Sequence, residues 1–165
     1  MIRVGIAGFG KIGQLRFQIL SQHEGFNVVS ILDKNEDATI PEGIYRARSY
    51  SELLDQELDA VIICAFNDVL AEYTIKALKK NVHVFCEKPP ARTVEELMSV
   101  SAEYSETNVV LKYGFNHRYH YSVIEAKRMI SQGKFGRLIS ARGVYGKAGS
   151  IDYDKNWRNY KKVSG

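Results

Sequence analysis

Two short stretches of this chain carry residue types at spacings that could do chemistry. The first is Gly8-Phe9-Gly10-Lys11-Ile12-Gly13, with Asp33 twenty residues beyond its last glycine. The second is Glu87-Lys88-Pro89-Pro90. In the first, a short apolar run leads into a G-x-G-x-x-G loop, and a helical pattern follows. Such a loop is a phosphate cradle. Gly8 allows the tight turn, Gly10 lets a pyrophosphate reach the backbone, and Gly13 lets the helix pack closely on the strand. The free N–H groups and the positive dipole end of that helix then face the phosphates. Asp33 closes a second apolar run, Val28-Val29-Ser30-Ile31-Leu32, where a carboxylate can accept hydrogen bonds from an adenosine ribose. Alone, G-x-G-x-x-G is a weak signal, because glycine-rich strand–helix turns also serve packing. With the strand, the helix and the acid all in place, it predicts dinucleotide binding. Asp33 favours NAD over NADP, since a 2′-phosphate would face a carboxylate. The neighbouring Lys34 could serve a phosphate and keeps NADP open.

Lys88 follows a third apolar run, residues 82–86. In a doubly wound sheet this is the same ligand edge as the glycine loop and Asp33. A lysine there could do acid–base work if its surroundings favoured the neutral amine. Pro89 and Pro90 stiffen the chain after it and restrict Lys88 to an extended backbone. The competing reading is a surface Glu87–Lys88 pair at a strand end, and the local sequence does not choose between the two.

The elements that must position these groups alternate regularly. Strands are predicted at about 2–7, 26–32, 60–65, 82–86 and 109–113. Helices are predicted at about 11–23, 68–80 and 93–106, with a short one opened by the capping box Ser49-Tyr50-Ser51-Glu52. Thr93-Val94-Glu95-Glu96 is a second such box. A loop with Pro41 and Gly43 joins the second strand to the short helix. The run Ala60-Val61-Ile62-Ile63-Cys64-Ala65 has no polar face, as expected of a strand covered on both sides. The fold class that follows is α/β, a doubly wound parallel-sheet Rossmann domain over about residues 1–118. After it come a helix at 121–132 stopped by Gly133, a partly alternating strand at 138–145, and an irregular, aromatic and basic stretch to Gly165. One helix and one strand cannot form a core, so residues 119–165 read as the beginning of a second α+β domain. The last strand would lack partners, which predicts self-association or a disordered tail past about residue 146.

Bulk properties narrow the classes further. The chain has 165 residues and a net charge of +4, enough for one good core. Lys155, Arg158, Lys161 and Lys162 cluster with Tyr153, Trp157 and Tyr160 near the end. A solvated basic end explains this better than nucleic-acid binding, because the glycine loop accounts for more of the chain. No apolar run has the length of a membrane span, and the chain enters a core strand at once, so no signal peptide is expected. Cys64 and Cys86 fall in buried strands without metal-ligand spacing. They read as reduced core cysteines of a cytoplasmic protein, and no metal is expected.

Together these residues resemble one family. The glycine loop, Asp33, Asp59-Ala60-Val61-Ile62-Ile63 leading to Asn67, His83-Val84-Phe85-Cys86-Glu87-Lys88-Pro89, Gly114-Phe115-Asn116-His117-Arg118, Gly133-Lys134-Phe135-Gly136 and Trp157-Arg158 are similar to motifs of the Gfo/Idh/MocA oxidoreductases. That NAD(P)-dependent family includes glucose–fructose oxidoreductase and inositol dehydrogenase. The resemblance implies hydride transfer between a nicotinamide cofactor and a hydroxyl- or keto-bearing carbon of a sugar, nucleotide-sugar or cyclitol. It implies that Lys88 is the catalytic lysine that also binds the substrate hydroxyl. Glu87 is then an acid near the nicotinamide ribose, and Ala65, Phe66 and Asn67 form the loop along the cofactor. Asn116 and Arg118 would lie beside cofactor and substrate, and Trp157 and Arg158 would close over the cofactor. A homo-oligomer is implied for the full-length form.

Two departures bear on this. Ala65, Phe66 and Leu70 stand where the family often has Thr-Pro and a histidine, which could weaken cofactor binding. The chain also stops at Val163-Ser164-Gly165, before the family's glycine run and its catalytic histidine. It therefore reads as an N-terminal portion, inactive alone, with the substrate and dimerisation domain only begun. A non-catalytic NAD(P)-binding sensor or interaction module is the alternative. A methyltransferase with a similar glycine loop leaves Lys88 unexplained.

Overall fold

The computed structural model describes residues 1–146, 155 and 157–164. Six parallel strands make one sheet: β1 (Ile2–Ala7), β2 (Phe26–Leu32), β3 (Tyr45–Ala47), β4 (Ala60–Ile63), β5 (His83–Cys86) and β6 (Leu111–Tyr113). Their order across the sheet is β3-β2-β1-β4-β5-β6. The order reverses between β1 and β4, so a crevice opens outside the carboxyl ends of these two strands. The helices are α1 (Lys11–Ser21), α2 (Tyr50–Leu54), α3 (Asn67–Lys79), α4 (Val94–Ser105), α5 (Tyr121–Ser131) and α6 (Lys161–Ser164).

Alternation along the strands divides the core between the two faces of the sheet. Val61 and Ile63 join Leu53, Leu54, Leu70, Leu78 and Val100 on the side of α2, α3 and α4. Ile62 joins Val4, Ile6, Val28 and Ile31 on the other side, where Phe17 and Leu20 of α1 pack. Ile12, Leu15 and Ile19 of the same helix stay exposed. Both capping residues act as expected: Ser49 accepts from the Glu52 N–H at 3.1 Å and Thr93 from the Glu96 N–H at 3.2 Å. The glutamates reach back one residue further than a reciprocal box requires. Glu52 accepts from the Arg48 N–H at 2.8 Å, and Glu96 from the Arg92 N–H at 2.9 Å.

The chain forms two compact units, residues 1–114 with 157–165, and residues 115–156. In the second unit a 3₁₀ turn, Asn116–Tyr119, precedes α5. Gly133 ends α5 with φ +69°, and no residue of α5 is buried.

Three expectations need correction. Strand β3 lies where only a loop was expected; three residues pairing Ser30, Ile31 and Leu32 of β2 are too short for a hydrophobic period to reveal. Residues 138–145 form no strand, and Leu138, Ile139, Val144 and Tyr145 are exposed. A strand needs a ladder partner, and none is offered among the described residues. The closing segment is also not a disordered tail throughout: Trp157–Asn159 is a 3₁₀ turn and α6 follows, both clustering with the first unit rather than with 119–156. The same expectation for residues 147–154 lies outside the described residues.

Candidate functional site: a dinucleotide cradle

The sharp exit from β1 rests on Gly8, whose φ is +92° and whose space is bounded by backbone. A Cβ there would sit 2.6 Å from the Cys64 carbonyl oxygen. A Cβ on Gly13 would sit only 2.0 Å from the Gly8 carbonyl oxygen, so α1 is pressed onto the turn. Gly10, by contrast, has nothing within 4 Å of where a Cβ would be. Its backbone is open to a ligand.

Gly10 is also the N-cap of α1, with no side-chain cap and no acidic residue in the first turn. The first-turn N–H groups around Lys11 and Ile12 therefore keep the need for an acceptor that every helix start has. An anion satisfies that need and gains from the dipole.

Asp33 stands beside this turn. Its carboxylate accepts the backbone N–H of Phe9 on one oxygen and that of Asn35, at 2.8 Å, on the other. Each oxygen keeps further acceptor capacity. The Phe9 ring itself is buried and meets Phe17 edge-on at 5.8 Å.

Between these groups lies a cavity of about 760 Å³, the size of a cofactor site. Gly8, Gly10, Lys11, Ile12, Asp33, Ala65, Phe66 and Trp157 all line it. Lys34, read from sequence as a possible phosphate partner, lines it too, as do Asn35, Cys64, Val69 and Tyr73, which sequence reading did not assign to the cofactor. Phe66, Val69 and Tyr73 follow the i, i+3, i+7 spacing of one helix face, a signal that was available. A second cavity of about 780 Å³ adjoins it, sharing Leu32, Asp33, Lys34 and Tyr73. Arg46, Arg48 and Lys76 make its wall basic, against Glu36.

Trp157 enters the mouth from the closing segment. Its ring meets Phe66 edge-on at 5.1 Å. Asn67 Nδ2 donates to the Ser164 carbonyl at 3.3 Å, and Arg92 Nη1 to the Lys162 carbonyl at 2.9 Å. Asn67 thus ties down the closing segment and does not line the cavity. Arg158 follows Trp157 on the same 3₁₀ turn. Leu70, where the family often has a histidine, is a core residue, 1% exposed, and does not line the cavity.

At the end of β5, Glu87 and Lys88 sit outside this cavity. Glu87 pairs with Arg16 of α1: Arg16 Nε donates to Oε1 at 3.0 Å, and Nη2 donates to the same oxygen. The surface Glu87–Lys88 pair is therefore absent, and Lys88 is exposed and forms no ion pair among the described residues. The Lys88–Pro89 peptide is cis. Asn116 and Arg118 lie on the 3₁₀ turn of the second unit and are exposed. Burial pushes the thiols of Cys64 and Cys86 up to about 12, so both are protonated thiols, not ligands or nucleophiles. No cluster of His, Cys, Asp and Glu among the described residues could hold a metal, and no helix among them is long and apolar enough to cross a membrane.

The family model for the oxidoreductase family with an NAD-binding Rossmann fold, Gfo/Idh/MocA, matches residues 2–115. The chain belongs to this family. It is 28% identical to an inositol 2-dehydrogenase of Salmonella typhimurium over 159 residues, covering 91% of the chain and 47% of that protein. It is 30% identical to glucose-6-phosphate 3-dehydrogenase of Bacillus subtilis, covering 100% of the chain and 49% of that enzyme. Among solved structures, the WlbA dehydrogenase of Bordetella pertussis, in complex with NADH and UDP-GlcNAcA, superposes with a TM-score of 0.74 at 28% identity, covering 82% of the chain and 41% of that protein. The chain spans less than half the length of the curated relatives it matches.

Proposed function

We propose that this chain is the cofactor-binding part of an oxidoreductase that moves a hydride between a nicotinamide dinucleotide and a hydroxyl- or keto-bearing carbon of a sugar, nucleotide-sugar or cyclitol. The observation that carries this is the uncapped, open start of α1 at Gly10 with the Asp33 carboxylate tied beside it. An anion and a ribose fit those two groups. The bound dinucleotide would supply or accept the hydride. Gly8, Gly10, Lys11 and Ile12 hold its pyrophosphate, Asp33 its adenosine ribose, and Ala65, Phe66 and Trp157 cover it. Lys88, exposed and unclaimed by Glu87, holds the substrate hydroxyl and assists its proton. Asn116, Arg118 and Arg158 complete the cofactor and substrate contacts when the rest of the protein is present. Residues from about 119 begin the substrate and dimerisation domain, in keeping with the exposed Val123, Ile124 and Ile130 of α5. The 165-residue chain binds cofactor and turns over poorly alone.

NAD is the preferred cofactor, because Asp33 faces the position of a 2′-phosphate. The test is an equilibrium titration with NADH, read by nicotinamide fluorescence. Saturable binding, lost or weakened in Asp33→Ala, is expected. No binding by the native chain would overturn the reading.

A further inference from the structure

Just beyond the carboxyl end of β5, three groups from distant parts of the sequence meet. Arg16 reaches from α1 across 71 residues to take Glu87 Oε1 with two N–H groups. Its guanidinium also lies 4.9 Å over the Phe85 ring, which fixes it from the side. Side-chain exposure is 25% for Arg16 and 15% for Glu87, so the pair is partly withdrawn from water and its geometry is well defined. On the other side of the carboxylate stands Gly114. A Cβ there would lie 2.8 Å from Glu87 Oε2. The glycine keeps open the space beside the one oxygen that Arg16 does not take. The cluster stands at the same carboxyl edge of the sheet: the Glu87 N–H donates at 2.9 Å to the carbonyl of Ile63, the last residue of β4, and Cys64, the next residue, lines the cavity.

We propose that Arg16 is a positioning residue for the nicotinamide half of the site. It holds Glu87 by Oε1, so that Oε2, beside the bare Gly114, accepts a hydroxyl of the nicotinamide ribose, and it keeps Glu87 from pairing with Lys88. This rests on the cofactor reading given above. The pair acts on only one half of a dinucleotide, and that distinguishes it from a brace for the fold. A brace would affect every ligand of the crevice alike.

The experiment compares NADH with ADP, which lacks both the nicotinamide and its ribose, on the native chain, Arg16→Gln, Arg16→Lys, Gly114→Ala and Glu87→Gln. Arg16→Gln is expected to weaken NADH about tenfold while ADP stays within about twofold. Arg16→Lys recovers only part, since a point charge cannot repeat the two-donor grip. Gly114→Ala lowers NADH selectively by filling the space at Oε2. In a Glu87→Gln background, Arg16→Gln adds little further loss, as coupled residues do. Equal weakening of NADH and ADP, or unchanged NADH binding in Arg16→Gln, would overturn the proposal. A native chain that binds ADP but gains nothing from the nicotinamide and its ribose overturns it while leaving the cradle intact. A native chain that binds neither ligand overturns the cofactor reading and this proposal together.

Discussion

The Asp33 carboxylate accepts the backbone N–H of Phe9, joining the end of β2 to the middle of the glycine loop. One side chain thus shapes the phosphate turn and, in the proposed function, binds the ribose. Asp33→Ala leaves the Phe9 and Asn35 N–H groups without that acceptor, a cost of about 1–3 kcal/mol in urea unfolding. Asp33→Asn keeps an acceptor and removes the charge. It should retain most of the stability and shift the NADH-to-NADPH affinity ratio toward NADPH.

Gly10 and Gly13 separate binding from folding. Gly13→Ala drives a Cβ into the Gly8 carbonyl; a loss of about 3 kcal/mol is expected, because backbone and not a flexible side chain must yield. Gly10→Ala meets nothing in the protein. Its stability should stay within about 0.5 kcal/mol of the native value, while its NADH affinity falls about tenfold or more as the methyl group takes the place of the pyrophosphate. Denaturation and titration of the two variants should give opposite patterns.

Lys34 and Arg48 line the second cavity and form no ion pair among the described residues, whereas Lys76 pairs with Glu72 at 2.6 Å. If any NADPH is bound, these two cations meet its 2′-phosphate. The double variant Lys34→Ala, Arg48→Ala should weaken NADPH about tenfold and leave NADH within about twofold. An NADPH affinity that does not move would remove the second cavity from the cofactor site.

Burial holds the Cys64 and Cys86 thiols at about 12, against an ordinary value of 9.0. Iodoacetamide at pH 8 should label both slowly in the folded chain and rapidly in denaturant. Because the folded values are raised, the protonated thiols favour the folded state. Their contribution is fully present below about pH 9 and is lost as pH rises toward 12. Urea midpoints measured across that range should fall, and less steeply in Cys64→Ala.

Local patterns made much of the architecture legible. The G-x-G-x-x-G loop, the acid at the end of β2, the two capping residues and the β/α alternation are written within short windows, where backbone sterics and hydrogen-bonding reach act directly. They were sufficient for a doubly wound sheet with its ligand edge at Gly8–Gly13, Asp33 and Glu87. Edges failed where the signal needs a partner. Tyr45–Ala47 is a strand only because β2 is there to pair with it, and residues 138–145, with the better alternation, are not.

What only the tertiary structure decided is which residues answer one another across the fold. Leu70 looked like a lost cofactor contact and is core. Asn67, placed by sequence in the loop along the cofactor, donates to the carbonyl of Ser164, 97 residues on. The Glu87–Lys88 pair, ambiguous in sequence, is resolved by Arg16, which no window around residue 87 contains. Side-chain type and spacing along the chain determined the cradle, because its parts are neighbours in sequence. The partner of each charge depended on the packing of α1 against the sheet, a distance that exists only once the chain has folded.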